Sequence, residues 1–219
     1  MPAPYVRVVV EDQSTRVAPA TGVYAGIVID AKKGPVNEPV LITSQSELLT
    51  YFTPNSTIEV GWDLAYLSAY FFLRDSNRLW AVRAAKNPLF GGVVLKTATS
   101  ENSNIAVTAG MADPTAYTFS DDDLCLIYGA DPGVWNNDVS VTVDTAVTTT
   151  KIAKTFQIDV YYKGTLKETW LCSNDTTIKN GYGYTTYLET VLNSSKYIKG
   201  LVNTDIVAGT LPKGTYASS

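Results

Sequence analysis

Histidine is absent from this 219-residue chain. Its absence removes the commonest general base and a favoured metal ligand. Charge is scarce as well. Asp, Glu, Lys and Arg make up 17% of the residues, against about 25% in ordinary soluble domains. The net charge is -4 and no basic stripe is visible, so nucleic-acid binding has no electrostatic support. Cysteine occurs twice, at Cys125 and Cys172, far apart and without CxxC spacing. The expectation is two half-buried free thiols, because a disulfide would need an oxidising compartment. The opening Met1-Pro2-Ala3-Pro4-Tyr5 lacks the basic and apolar regions of a signal peptide. No apolar run approaches membrane-spanning length. The expectation is a soluble protein made in the cytosol, with no membrane insertion.

Catalytic signatures are missing too. No GxGxxG or GxxxxGK follows a strand, and Tyr24-Ala25-Gly26 opens no phosphate loop. No GxSxG occurs, and serine nucleophiles have no histidine to activate them. The run Asp121-Asp122-Asp123 lacks the alternating ligands, glycine and distal Glu of a calcium loop, and reads as a solvated turn. Tyr182-Gly183-Tyr184 is aromatic but has no basic neighbours, so it makes no base-stacking platform. Asn55-Ser56-Thr57, Asn174-Asp175-Thr176 and Asn193-Ser194-Ser195 fit the glycosylation pattern, but no secretion signal accompanies them. We assign no catalytic, cofactor-binding or metal-ligating residues, and we expect no enzyme activity and no cofactor.

What is present is a hydrophobic content of 45%, 14 tyrosines and much Thr, Ser and Asn. A chain of this length buries roughly 70% of the surface its unfolded form exposes. A surface poor in charge can be covered by neighbours without stranding ions, which favours assembly.

Residues 5–10, Tyr-Val-Arg-Val-Val-Val, are strand-like. They are bracketed by Pro2, Pro4 and Pro19 and followed by the polar Glu11-Asp12-Gln13-Ser14-Thr15. A lone strand cannot stabilise itself and needs a sheet edge in its own chain or a neighbour's. Residues 23–30 form a nearly continuous apolar run that suits a buried central strand. Lys32-Lys33-Gly34-Pro35 marks a turn, and residues 38–42 a second strand. Ser44-Gln45-Ser46-Glu47 is a capping box that opens a helix through Leu48, Leu49 and Phe52, ending near Thr53-Pro54. Residues 63–75 carry Leu64, Leu67, Phe71 and Phe72 near helical spacing, which predicts a helix buried on that face. Residues 78–84 read as a strand. The order β-β-α-α-β is the start of an α/β layer, with too few strands to close a core.

Past Phe90-Gly91-Gly92 helix signals vanish. Strands are predicted at 92–98, 104–109, 115–119, 123–129, 138–145, 152–162 and 166–172, the last two joined by a Lys163-Gly164 hairpin turn. A short helix over 184–193 and a strand over 196–202 follow. The fold class is therefore α+β, or mixed. It comprises an arm (1–20), a partial α/β core layer (21–90), an inserted β-sandwich or barrel-like domain (91–205) and a linker (206–219). Asp131-Pro132-Gly133 predicts a tight turn with the Trp135 indole packed under it and Asp138 bonding the turn amides.

Several stretches resemble the contractile phage tail sheath family, in particular its N-terminal part. They begin with residues 14–29, then Lys33-Gly34-Pro35-Val36-Asn37-Glu38-Pro39, then an aromatic helix followed by Leu79-Trp80-Ala81-Val82-Arg83. Asp131-Pro132-Gly133-Val134-Trp135-Asn136-Asn137-Asp138 is similar to the family's D-P-G-x-W-x-N-D motif. Glu168-Thr169-Trp170, Tyr187-Leu188-Glu189 and Ser195-Lys196-Tyr197-Ile198 are similar to its E-x-W, Y-x-E and S-x-Y-I block. Departures include Pro4 directly before Tyr5, and Thr53 where the family commonly has glycine. Family members continue well beyond this length, so the sequence reads as a truncated form or the ordered part of a longer chain.

The resemblance implies a virion tail component, assembled in the bacterial host cytoplasm. Identical subunits would surround an inner tail tube and shorten to drive it through a cell envelope. Implied partners are neighbouring sheath subunits, the tube, the baseplate and the tail terminator. The strand Tyr5, Val6, Arg7, Val8, Val9, Val10 and Glu11 would be the arm donated between subunits. Two other classes compete. One is a secreted bacterial surface or adhesin-type β protein, supported by the polar, Tyr- and Thr-rich β region. The other is an enzyme fragment whose catalytic residues lie beyond residue 219.

Overall fold

A computed structural model describes residues 24–55, 63–101, 105–145, 152–213 and 216–217. The arm and its strand at Tyr5–Glu11 lie outside the described residues.

The first layer is a three-stranded sheet. β1 (Ala25–Ile29) runs parallel to β3 (Leu79–Arg83), and β2 (Pro39–Ile42) runs antiparallel on the other side of β3. The expectation of a buried central strand at residues 23–30 is corrected: among the described residues β3 is central, and β1 lies at the edge with Val28 exposed, because the helices cover one face of this sheet. Helix α1 (Gln45–Tyr51) starts where Ser44 Oγ accepts the Glu47 N–H at 3.2 Å. Glu47 Oε2 reaches back one residue further than a standard capping box, to the Thr43 N–H at 2.7 Å. Helix α2 (Leu64–Asp75) is capped by Asp63. Its buried face is Tyr66, Ala69 and Leu73, so the expected face is corrected: Leu64 is 76% exposed and Phe71 50%. The reason lies in α1. The Tyr66 hydroxyl donates to the Phe52 carbonyl at 2.5 Å, occupying an acceptor at the end of that helix and turning the tyrosine stripe inward. Ile29, Ile42, Leu48, Phe52 and Leu79 complete this core.

The second region is a β-sandwich. One sheet has the order β10-β6-β4-β5, from β4 (Phe90–Lys96), β5 (Ile105–Met111), β6 (Asp123–Gly129) and β10 (Ile198–Val202). The other has the order β11-β7-β8-β9, from β7 (Val139–Asp144), β8 (Phe156–Tyr162), β9 (Thr165–Cys172) and β11 (Tyr216–Ala217). Neither sheet closes into a barrel. Their inner faces share one core that includes Leu95, Ile127, Val143, Phe156, Ile158 and Val160. Each such side chain contributes about 1.5–3 kcal/mol by leaving water. Helix α3 (Leu188–Leu192) adds Leu188 and Leu192 to it. The β8–β9 turn has φ 51° at Lys163 and 72° at Gly164, the left-handed pair a two-residue hairpin requires.

Four expectations change here. Residues 115–119 are not a strand: Pro114–Ala116 is a 3-10 turn capped by Asp113, whose Oδ1 accepts the Thr115 N–H at 2.9 Å. The acidic run is not a solvated turn as a whole. Asp123 is buried, and it shares the buried Lys96 ammonium with Asp122, which stands 3.0 Å from it. Burial works against the Lys96 charge, but the hydrogen bonds to Asp123 and Asp122 outweigh it and hold its pKa above the ordinary value. Cys125 and Cys172 are free, as expected, but fully buried, and burial pushes both thiols far up. In the segment read as a linker, Lys213 N–H bonds the Lys96 carbonyl at 2.8 Å, Asn174 Nδ2 bonds the Val207 carbonyl at 3.0 Å, and β11 pairs with β7. Among the described residues no helix is long and apolar enough to cross a membrane.

Candidate functional site

The α/β layer and the sandwich meet at the Lys32–Pro35 turn, the end of β3 and the 130–138 segment. Arg83 ends a strand whose inward positions are otherwise Leu79 and Ala81, and it is 5% exposed. Among the described residues its guanidinium donates to backbone carbonyls alone. Nε donates to Ala31 O at 2.7 Å, Nη1 to Gly34 O and Pro132 O at 2.8 Å each, and Nη2 to Lys32 O at 3.2 Å. One planar fork thus ties the 31–34 turn of the first layer to the 132 turn of the second. Burial lowers the Arg83 pKa, with Asp131 and Asp30 opposing; an arginine remains charged nonetheless.

Gly133, at φ 137°, lets the turn approach Arg83 closely. A Cβ there would stand 2.8 Å from Nη2. The next residues form a 3-10 turn, Val134–Asp138. Trp135 is fully buried, and its Nε1 donates to the Asp131 carbonyl at 3.0 Å. Asn136 Nδ2 donates to Asp131 O at 3.2 Å and Gly133 O at 2.9 Å, so the amide also holds the turn. Burial raises the Asp131 pKa, against the pull of Lys33 and Arg83.

Asp138 departs from its expected role. Its carboxylate takes Lys32 Nζ at 2.7 Å instead of the turn amides. The 3-10 turn carries it away from residues 131–133 and toward the first layer, and Asn136 does the work assigned to it. That hydrogen bond raises the Lys32 pKa and lowers the Asp138 pKa. Lys33 Nζ lies 4.8 Å from the Trp135 ring centre and 4.5 Å from that of Tyr197, and donates to the Lys196 carbonyl at 2.9 Å. Burial lowers its pKa. Glu168 braces the 195–197 segment by accepting the Lys196 N–H at 3.0 Å and the Ser195 hydroxyl.

The site therefore joins Asp131, Pro132, Gly133, Trp135 and Asp138, singled out from the sequence, with Lys32, Lys33, Arg83, Asn136 and Glu168. The signals for the added residues were a charge ending an apolar strand and a lysine pair in a turn. Chemically this is a clamp. Four of the five Arg83 N–H groups are spent on carbonyls. Among the described residues no group of three or more Cys, Asp or Glu could hold a metal ion. A cavity of about 800 Å³ lies beside it, lined by Arg83, Leu89, Gly129, Val134 and Asn136 among others.

No family model matches the chain, and no curated protein matches it. Two solved structures are similar in outline. One is a sheath tail protein of Listeria innocua, with a TM-score of 0.47 and 10% identity over 90% of this chain and 34% of that one. The other is a sheath tail protein of Desulfitobacterium hafniense, with a TM-score of 0.43 and 8% identity over 98% of this chain and 38% of that one. The chain thus spans well under half the length of either.

Proposed function

We propose that this chain is a structural subunit of a contractile tail sheath, polymerising around an inner tube and shortening to drive it through a cell envelope. The observation that supports this most is convergence. Several of the stretches similar to the sheath family, scattered from Lys33 to Ile198 in sequence, meet at one junction. Lys33-Gly34, Arg83, Asp131 to Asp138, Glu168 and Ser195 to Tyr197 all touch there. That stretches resembling the family in order and spacing contribute to one clamp supports a common origin over separate coincidences.

A subunit in such a device must transmit force between its layers, and a fork of charge-assisted hydrogen bonds to backbone suits that task. The first layer also leaves Val28, Leu41 and Trp80 exposed on one sheet face among the described residues, a surface that assembly would cover. The arm at residues 5–11 would cross to a neighbouring sheet. Electron microscopy of the native assembly tests the reading. Striated tubes that shorten are expected. Monomeric protein under all assembly conditions, together with surface display on intact cells, would favour the adhesin class instead.

A further inference from the structure

Beyond Cys172 the edge of β9 is extended by a parallel bridge between Ser173 and Tyr187. The Ser173 N–H donates to Thr186 O at 2.8 Å and the Leu188 N–H to Ser173 O at 2.9 Å. Upstream of this bridge a cavity of about 350 Å³ lies between β9, α3 and the 180–186 loop. We propose that this cavity binds a neutral sugar residue of a glycan chain, with Trp170 as the stacking surface and Asn180, Thr190 and Ser194 as hydroxyl partners.

The indole is half-buried and pinned before any ligand arrives. Trp170 Nε1 donates to Glu168 Oε2 at 2.9 Å, and the same carboxylate is held by the Lys196 N–H and the Ser195 hydroxyl. Among the described residues the Asn180 amide nitrogen and the Thr190 and Ser194 hydroxyls line the cavity without a protein partner. No charged side chain lines it. An ion would find no counter-charge, and a wholly apolar ligand would strand three hydrogen-bonding groups. A pyranose ring offers what both walls want: a C–H face for the indole and hydroxyls for the rest. The volume sits at the small end of ligand sites, which run from about 300 to 1,000 Å³, and suits one ring.

The adjoining loop extends the surface. Tyr182 and Tyr184 are 89% and 71% exposed, yet their backbone is braced. Asn180 Oδ1 accepts both of their N–H groups at 3.0 Å, and Lys179 bridges Thr185. Two exposed aromatics on a fixed loop lose little entropy on binding, so a second sugar of the chain meets a ready platform.

The test is affinity electrophoresis of the whole chain through gels holding dextran, mannan, galactomannan or hydroxyethyl cellulose. Saturation-transfer NMR with the methyl glycosides of glucose, galactose, mannose and N-acetylglucosamine accompanies it. We expect retardation by at least one polysaccharide and transfer to its glycoside. Trp170→Phe and the Tyr182→Ala/Tyr184→Ala double variant should each weaken binding on the order of tenfold. Thr190→Val should weaken it less. The tyrosine variant should melt like the parent, because both rings are exposed. No transfer from any glycoside would overturn the proposal. So would binding that survives every variant, or capture of a protein through the tyrosines with no sugar binding. Sheath assembly does not enter these measurements, so their failure leaves the sheath reading standing.

Discussion

In the sandwich two sheets cover each other, and every strand contributing to the core finds a partner face. In the α/β layer one sheet face is covered by α1 and α2, while the other presents Val28 at 61%, Trp80 at 44% and Leu41 at 40% exposure. Gly26, Trp80 and Leu41 sit side by side across the three strands, so the open face is continuous. The same alternation of apolar side chains therefore gives a closed body in one region and a half-covered one in the other. The three strands and two helices described there bury apolar side chains on one sheet face only, so this layer has less covered core to offset the entropy of ordering it. The clamp at Arg83 and Trp135 is where the open layer borrows stability from the closed one.

The largest effect that could break this contrast comes from separating the regions. Residues 91–219 expressed alone should melt cooperatively, whereas residues 24–84 alone should show no cooperative transition by circular dichroism. Residues 91–205 should melt lower than 91–219, because Asn174, Lys96 and β7 lose their contacts with 207–217. Trp135→Ala in the longer fragment should cost about 3–5 kcal/mol, as for a large buried aromatic. An unchanged melting temperature would mean that the indole is held only by the first layer.

A smaller effect isolates the clamp. Arg83→Lys keeps the charge but cannot fork to four carbonyls. We expect a loss of about 2–4 kcal/mol in the whole chain, the value of one or two charge-assisted hydrogen bonds with their acceptors left buried. Calorimetry should then resolve two transitions in place of one, with the sandwich transition unmoved. A single transition shifted as a unit would show that the regions share one cooperative core, and the contrast would fail.

Local signals were legible in the sequence and tertiary meetings were not. The alternation of Phe156, Ile158 and Val160 placed β8, the Ser44 box placed α1, and Lys163-Gly164 placed a hairpin. The face of α2 was misread because hydropathy ranks Leu64 and Phe71 above Tyr66 and Ala69. What decides is the Tyr66 hydroxyl finding the end of α1. Asp123 looked solvated because its partner, Lys96, lies 27 positions earlier. Within the site, the Asp131-Pro132-Gly133 turn and the Trp135 indole were visible as a unit. The Arg83 fork was not, since nothing in Leu-Trp-Ala-Val-Arg says that a terminal arginine will reach carbonyls 49 residues away in both directions.

The smallest effect concerns Lys32 and Asp138, which also span the junction but at its rim. Their side chains are 27% and 31% exposed and 2.7 Å apart. A rim pair of this kind should contribute about 0.2–1 kcal/mol, well below the Arg83 fork. Its pH dependence follows from the shifts. The Asp138 pKa is lowered by the Lys32 hydrogen bond, so its contribution is complete above the ordinary carboxylate value of about 3.9 and is lost as pH falls through the lower folded value. The Lys32 pKa is raised by the same bond, so its contribution is complete below about 10.4 and is lost as pH rises through the higher folded value. Between those limits the pair is insensitive to pH. A double-mutant cycle with Lys32→Met and Asp138→Asn should give a small coupling at pH 7, less in 1 M salt and less again once pH falls far enough to protonate Asp138. A coupling above about 2 kcal/mol that ignores salt would place the pair in a sealed interior. The junction would then be as closed as the sandwich core, and the first layer would not be the open partner in the comparison.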